Sequence, residues 1–271
     1  SMYPDILRGQ IQKCKQATDK PFAVNLPLLY PDIDKHIATI LEEKVPIVFT
    51  SAGNPAVWTE TLKNAGIKVV HVVSNEKFAL KAEGCGVDAI VAEGFEAGGH
   101  NGREETTTLV LIPQILKTVK IPVIAAGGIG TGKTMLAAMA LGAEAVQIGS
   151  RFVATNESSA HQNFKQAIID AKDGSTQLSL KKLTPVRLIK NKFWEQIAAA
   201  EMGGASSEVL SQMLGGARAK KGMFEGDLEE GELEIGQISG YINEIKPAAE
   251  IIDEIVNDYN EVLAKLEGNI L

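Results

Sequence analysis

The sequence predicts an α/β protein built on a parallel sheet covered on both faces, followed by a mostly helical extension. Three observations carry that prediction. Over residues 1–174, six short runs rich in β-branched and apolar residues alternate with segments of helical period. Each run is almost unbroken in hydrophobicity, which suits a strand buried on both faces better than one that faces water. Past Gly174 the alternation stops, and helical and glycine-punctuated stretches take over. Two architectures fit such a chain. One is a doubly wound open sheet; the other is a (β/α)8 barrel of the TIM type whose first two strands are missing, since closure takes eight.

In chain order, Pro4–Ala17 reads as a helix and Pro21–Leu26 as the first strand. Asp32–Glu43 is helical, with Ile33, Ile37, Ile40 and Leu41 on one face, and Pro46–Thr50 is a buried strand that ends in the loop SAGNP. Helices over Pro55–Ala65 and Lys77–Cys85 alternate with strands over Ile67–Val73 and Val87–Val91. After a long loop come a helix (Leu109–Val119), a strand (Ile121–Ala126), a helix (Lys133–Leu141), a strand (Ala143–Ile148) and a helix (Ser158–Ala171). The extension, residues 175–271, opens on an irregular linker, Leu178–Val186. Helices follow over Arg187–Ala200, with Leu188, Ile189, Phe193 and Ile197 on one face, and over Ser206–Leu214. Gly215–Gly240 holds seven glycines and reads either as a mobile surface loop or as a cover over the barrel mouth. The last helix, Pro247–Leu266, carries Ile251, Ile252, Ile255, Val256, Tyr259, Val262 and Leu263 at helical spacing; it is expected to pack on the body of the protein, with a dimer seam as the other use.

Composition narrows the partners. The chain has 271 residues and a formal net charge of -7, and no stripe of Lys and Arg offsets that charge, which argues for a small-molecule ligand and against nucleic acid. Cys14 and Cys85 show neither CxxC spacing nor a disulfide framework, as expected in a reducing cytoplasm. No apolar run approaches the roughly 20 residues of a membrane-spanning helix, and no charged-then-apolar leader is visible, so no membrane partner is expected.

Two loops concentrate the chemistry. Residues 92–100, AEGFEAGGH, and the pair Gly127-Gly128 both follow buried strands, at the carboxyl ends where α/β folds bind ligands. Gly127-Gly128 then opens a helix, an arrangement that lets backbone N–H groups approach a phosphate. His100 follows Gly98 and Gly99 and is free to move a proton near neutral pH. His36, His71 and His161 read as structural or surface residues. The string GGIGTGKT, Gly127–Thr134, also fits the phosphate-loop pattern of nucleotide triphosphatases. Such an enzyme needs an acidic residue at a neighbouring strand end to hold Mg²⁺, and only Glu93 is placed for it. The glycine pair, taken with Gln147-Ile148-Gly149-Ser150 after the next strand, better suits a barrel that holds a phosphate on the loops after strands seven and eight.

The runs AEGFEAGGHNG, PVIAAGGIGTGK and LGAEAVQIGSRF resemble the flavin-dependent family of nitronate monooxygenases and enoyl-acyl-carrier-protein reductases II, and the likeness continues to the final GQISG. The resemblance implies an FMN-dependent TIM (β/α)8 barrel with a mostly helical extra domain. It implies that the flavin phosphate rests on Gly127, Gly128, Gln147, Ile148, Gly149 and Ser150, that Asn25 of FAVNL contacts the flavin, that Glu93, Gly98 and Gly99 lie beside the ring, and that His100 is the active-site histidine. The two glycine-rich strand loops that open the family's barrel have no counterpart in this sequence. SAGNP and the terminal segment Gly231–Gly240 look more like the reductase branch. That branch implies NADH or NADPH as reductant, an acyl-carrier-protein-linked or other small-molecule substrate, and a homodimer. Nitronate oxidation is the alternative on the same scaffold; a phosphotransferase and a non-catalytic flavin-binding protein are the alternatives of other kinds.

Overall fold

The structure is a computed structural model that describes residues 3–268. In chain order it begins with helix α1 (Pro4–Ala17), strand β1 (Ala23–Pro27), α2 (Ile33–Glu42), β2 (Ile47–Ser51), α3 (Thr59–Asn64), β3 (Lys68–Val73), α4 (Glu76–Gly84) and β4 (Ala89–Glu93). A two-residue strand, β5 (Gly99–His100), comes next, then α5 (Thr108–Thr118), β6 (Val123–Ala126), α6 (Gly132–Ala140) and β7 (Ala145–Gln147). All of these strands but β5 form one six-stranded parallel sheet in the order β1-β2-β3-β4-β6-β7. That order decides between the two predicted architectures. A doubly wound sheet reverses at a switch point, whereas a barrel lays each strand beside the last. With β1 and β7 at its two ends, the sheet is six strands of a barrel, open as the strand count led us to expect.

The chain divides into two compact units, the first running to Ala92 and including Gln114–Ile124, the second comprising Glu93–Pro113 and the described chain from Ala125 onward. In the first unit the elements fall within two residues of the predicted runs, except that Pro55–Ala65 is split into a 3₁₀ turn, Pro55–Val57, and α3. α1 starts at Pro4, where a missing N–H is no loss, and buries Leu7 and Ile11. The strands alternate as a pleat requires. Leu26, Thr50, His71 and Ile90 stand in register on one face and are all buried. The opposite face is open at β1, where Ala23 and Asn25 are exposed.

One polar pair sits within that buried row. Thr50 Oγ1 lies 2.7 Å from His71 Nδ1 and 3.3 Å from the Val70 carbonyl. Burial, with a smaller contribution from Lys81, pushes the His71 ring down to about 4. The unfolded ring takes up its proton near 6.5, so the stability contributed by neutral His71 is complete above that pH and is lost as the pH falls toward 4. We expect His71→Phe, in which Thr50 keeps the Val70 carbonyl, to unfold with a shallower dependence on pH over this window. Equal slopes in denaturant titrations of the two proteins would reject that expectation.

The second unit continues with α7 (Ser150–Val153), α8 (Gln162–Ile169), β8 (Thr176–Ser179), β9 (Val186–Ile189), α9 (Lys192–Met202), α10 (Ser207–Leu214), α11 (Arg218–Met223) and α12 (Ala248–Glu267). The linker expected over Leu178–Val186 contains strand residues at both ends, and Arg187–Ile189 is strand rather than helix; β5, β9 and β8 form a three-stranded antiparallel sheet in that order. The helix begins only after Asn191, whose side chain accepts a hydrogen bond from Trp194 N at 2.9 Å. The helix expected from Ser158 likewise starts at Gln162, after His161 has capped it. The surface-like character expected of residues 215–240 does not hold for the second half of that stretch. Leu233 and Ile235 are buried with Phe164, Ile168 and Ile189, and Ile189 N donates to Leu233 O at 2.9 Å. α12 packs on the body of its unit as expected. It buries Ile251 and Ile255 and approaches α6 so closely that a Cβ on Gly132 would lie 2.1 Å from Tyr259 N.

Candidate active site

All but one of the predicted site residues belong to the second unit. Glu93 ends β4, and the loop that follows it is held on several sides. Gly94 N donates to Ala126 O at 2.9 Å, and Phe95 N to Thr106 O at 2.8 Å. Glu96 turns its carboxylate to the start of α5, accepting from Thr108 N at 2.9 Å and lying 2.8 Å from the Thr108 hydroxyl. There the free N–H groups of a helix's first turn favour a negative charge. The same hydroxyl lies 3.0 Å from the Gly127 carbonyl, which ties this loop to the next one.

Gly98 and Gly99 are glycines for different reasons. A Cβ at Gly98 would lie 2.3 Å from the Ile235 carbonyl carbon, so only glycine admits the terminal segment at that point. Gly99 has φ of 74° and pairs with Arg187 on β9. His100 pairs with Val186 and is exposed. Arg187, which the sequence did not single out, is 1% exposed. Its Nε and Nη2 donate to the Phe95 carbonyl at 3.2 and 2.9 Å, and its guanidinium lies 4.4 Å from the centre of the Phe95 ring. A buried arginine thus braces the loop that presents His100.

Gly127 and Gly128 both adopt positive φ, 97° and 67°. A Cβ on Gly127 would lie 2.9 Å from Gly94 O, and one on Gly128 3.3 Å from the Glu96 Cβ. The triphosphatase pattern is not used in the manner its residues suggest. Thr134 closes a capping box with Thr131, Gly132 is covered by α12, and Lys133 is exposed with Nζ 3.6 Å from Asp258 Oδ1. At the end of β7, Gln147 and Ile148 are half-buried and Gly149 is exposed, and a Cβ on Gly149 would meet nothing within 4 Å. Ser150 Oγ accepts from Gly236 N at 2.9 Å. Asn25, the remaining predicted residue, stands in the first unit on the open face of β1. Among the described residues no cluster of His, Cys, Asp and Glu is arranged to hold a metal, and no helix is long and apolar enough to cross a membrane.

Three carboxyls of the second unit are pushed above the ordinary range by burial. Glu93 is raised to about 7 by that cause alone. Glu232 is also raised to about 7, by burial first and by the neighbouring Glu234 second, with Arg218 opposing. Glu234 is raised by burial, with the charge of His100 opposing. Neither Glu232 nor Glu234 was legible as a functional residue. The signal was the alternation of acid and apolar residues in GELEIG, a strand pattern hidden between glycines. For Glu93, the unfolded chain gives up its proton near 4.5 and the folded chain near 7, so stability is highest below that window and falls as the pH rises through it. Glu93→Gln should therefore remove part of the loss of stability between about pH 5 and 8. A denaturation midpoint that falls equally in both proteins would refute this.

The family model for nitronate monooxygenase matches residues 30–258. The chain belongs to the nitronate monooxygenase family. Among its relatives in that family, a probable nitronate monooxygenase of Staphylococcus aureus (strain JH9) is 35% identical over 240 residues, which is 84% of this chain and 66% of that protein. The chain thus spans just under two thirds of the length of the curated relatives it matches. Of solved structures, FabK from Thermotoga maritima is 43% identical, with a TM-score of 0.93 over 100% of this chain and 86% of that one. A nitroalkane oxidase from Streptomyces ansochromogenes is 25% identical, with a TM-score of 0.80 over 97% of this chain and 87% of its own. The six-stranded sheet and helical C-terminal segment match this TIM-barrel fold.

Proposed function

We propose that the chain is the catalytic part of an FMN-dependent oxidoreductase that uses NADH or NADPH to reduce 2-enoyl thioesters carried on acyl-carrier protein. The observation that carries this reading is the likeness to FabK, an enoyl-acyl-carrier-protein reductase II, over the whole chain. The loops fit the cofactor. Positive φ at Gly127 and Gly128 shapes the loop that leads into α6, and the open space beside Gly149, where a Cβ would meet nothing within 4 Å, leaves room for a phosphate. Gly127, Gly128 and Gln147–Ser150 would hold that phosphate, and Glu93, Gly98 and Gly99 would lie toward the ring. Asn25 is assigned to the cofactor by the resemblance alone. When bound, FMN supplies hydride transfer between the nicotinamide and the β-carbon of the enoyl thioester.

The chain's own residues supply positioning and protons. His100 is exposed on a loop braced by Arg187 and stands to deliver a proton to the α-carbon of the thioester. Glu93, raised to about 7, is a carboxyl that can remain neutral beside the ring and donate a hydrogen bond. Residues 1–174 would carry the cofactor, and 175–271 would shape the substrate side, with two copies associating. The family model and the nitroalkane oxidase likeness favour a second reading, oxidation of alkyl nitronates, in which His100 acts as a base. An ultraviolet-visible spectrum of the purified protein tests the proposal. A flavin band bleached by NADH or NADPH and restored by a 2-enoyl thioester is the expected result. A bleachable band restored only by oxygen, with turnover of an alkyl nitronate, selects the second reading, and a colourless ATP-hydrolysing protein overturns both.

A further inference from the structure

The trans peptide that joins Gly127 to Gly128 carries two polar groups that point opposite ways, the Gly127 carbonyl and the Gly128 N–H. Both glycines have positive φ, and a peptide between two residues without Cβ atoms can turn over at small steric cost. Its orientation has to be set from outside, and one side chain is placed to set it. Thr108, the first residue of α5, brings its hydroxyl to 3.0 Å from the Gly127 carbonyl oxygen and 3.4 Å from that of Ala126. Among the described residues no other group donates to the Gly127 carbonyl, and the Gly128 N–H has no hydrogen-bond partner. The hydroxyl is itself held. Glu96 accepts from Thr108 N at 2.9 Å, and its Oε2 lies 2.8 Å from Thr108 Oγ1. Gly94 lets Thr108 come this close, since a Cβ there would collide with both its hydroxyl and its backbone N.

We propose that Thr108 is the positioning residue for the phosphate end of the flavin: by holding the Gly127 carbonyl it fixes the plane of the Gly127–Gly128 peptide and aims the Gly128 N–H at the phosphate. This rests on the reading of Gly127–Gly128 as the phosphate loop. The hydroxyl has one proton for the Glu96 carboxylate and the Gly127 carbonyl, and it shares that proton in a three-centre bond. The carbonyl that accepts from Thr108 and the N–H that donates to the phosphate belong to one peptide, so each bond polarises the group that makes the other. The two glycines permit more than one orientation of their peptide. Thr108 selects one of them.

The test has two arms. In the first, apoprotein is titrated with FMN and with riboflavin, which has the ring but no phosphate, and flavin fluorescence is followed. Thr108→Val keeps the shape of the side chain and removes the hydroxyl; Thr108→Ser keeps the hydroxyl. Thr108→Val should weaken FMN roughly tenfold, about the worth of one hydrogen bond, and leave riboflavin unchanged, while Thr108→Ser binds FMN as the unaltered protein does. Undiminished FMN affinity, or an equal loss for the two flavins in a folded variant, overturns the proposal. In the second arm, ¹⁵N-labelled protein is studied without flavin, the Gly128 amide signal being assigned by its loss in Gly128→Ala. Thr108→Val should broaden or double that signal, as two peptide orientations become populated, and leave the amides of β2 and β3 in place; an unchanged Gly128 signal overturns the proposal. Should Thr108→Val fold poorly, Thr108→Ala takes its place in both arms. The second arm needs no cofactor, so a chain that binds neither flavin, which would defeat the functional reading, leaves it readable.

Discussion

Replacing His100 by alanine is expected to leave flavin bound and to slow turnover by roughly 10² to 10⁴, the usual worth of a positioned proton-transfer group. The expectation follows from where His100 stands. It is exposed at the end of a loop whose shape is held by other residues: Glu96 against Thr108, Arg187 against the Phe95 carbonyl, and Gly98 against the Ile235–Gly236 backbone. Removing an exposed imidazole leaves those bonds in place. Cofactor affinity, by contrast, is assigned to Gly127, Gly128 and Gln147–Ser150, none of which relies on the His100 side chain. The loss should fall mainly on the half-reaction with the organic substrate and less on reduction by NADH, and stopped-flow measurement of the two separates them. Unchanged substrate turnover would return His100 to the status of a loop residue. Loss of flavin would make its role structural.

Gly128→Val is expected to abolish flavin binding, while Lys133→Ala leaves it nearly unchanged. At φ of 67°, position 128 lies in the left-handed region, which costs a residue with a Cβ about 1–2 kcal/mol. That Cβ would already press on Glu96 at 3.3 Å, and the branched methyls of valine would press on it further and force the loop out of shape. Glu96 cannot easily yield, because its carboxylate caps α5 through Thr108. Lys133 has the opposite situation. Its ammonium is exposed and paired with Asp258, and its backbone N–H is also bonded to that residue. A lysine that served a nucleotide triphosphate would have to reach the β- and γ-phosphates, and here it is turned to α12. Fluorescence titration of apoprotein with FMN measures both variants. An ATPase activity lost in Lys133→Ala would overturn the assignment.

How far the sequence could be read depended on whether a feature is local. The six strands of the larger sheet were legible because a strand buried on both faces needs an unbroken apolar run, and little else in the chain looks like PIVFT or PVIAA. Their ends were less so: the last three start two residues later than the apolar runs, since pairing with a neighbour, not hydrophobicity, sets where a strand begins. The smaller sheet was not legible. β5 has two residues, too few for any period to show, and Arg187–Ile189 was absorbed into the helical period of α9 although the Asn cap marks the true start.

The site divides along the same line. Gly127, Gly128 and His100 stand out in the sequence because glycine and histidine are rare solutions to local problems, and the structure gives both glycines the positive φ that only glycine adopts freely. The string around Lys133 fits a phosphate-loop pattern that the neighbouring strand ends already spoke against, and α12, folding back from the far end of the chain onto Gly132, adds the partner that Lys133 has instead, Asp258. Gly98 was singled out for a cofactor, and the structure adds that it must also admit the Ile235–Gly236 backbone. By itself the sequence determined the α/β class, the glycine loops and the histidine, because hydrophobic period and backbone freedom are properties of neighbouring residues. The tertiary structure alone decided that Arg187 braces the loop and that the Glu234 carboxylate lies over Gly99, because the burial of a charge and the approach of two segments exist only once distant parts of the chain have met.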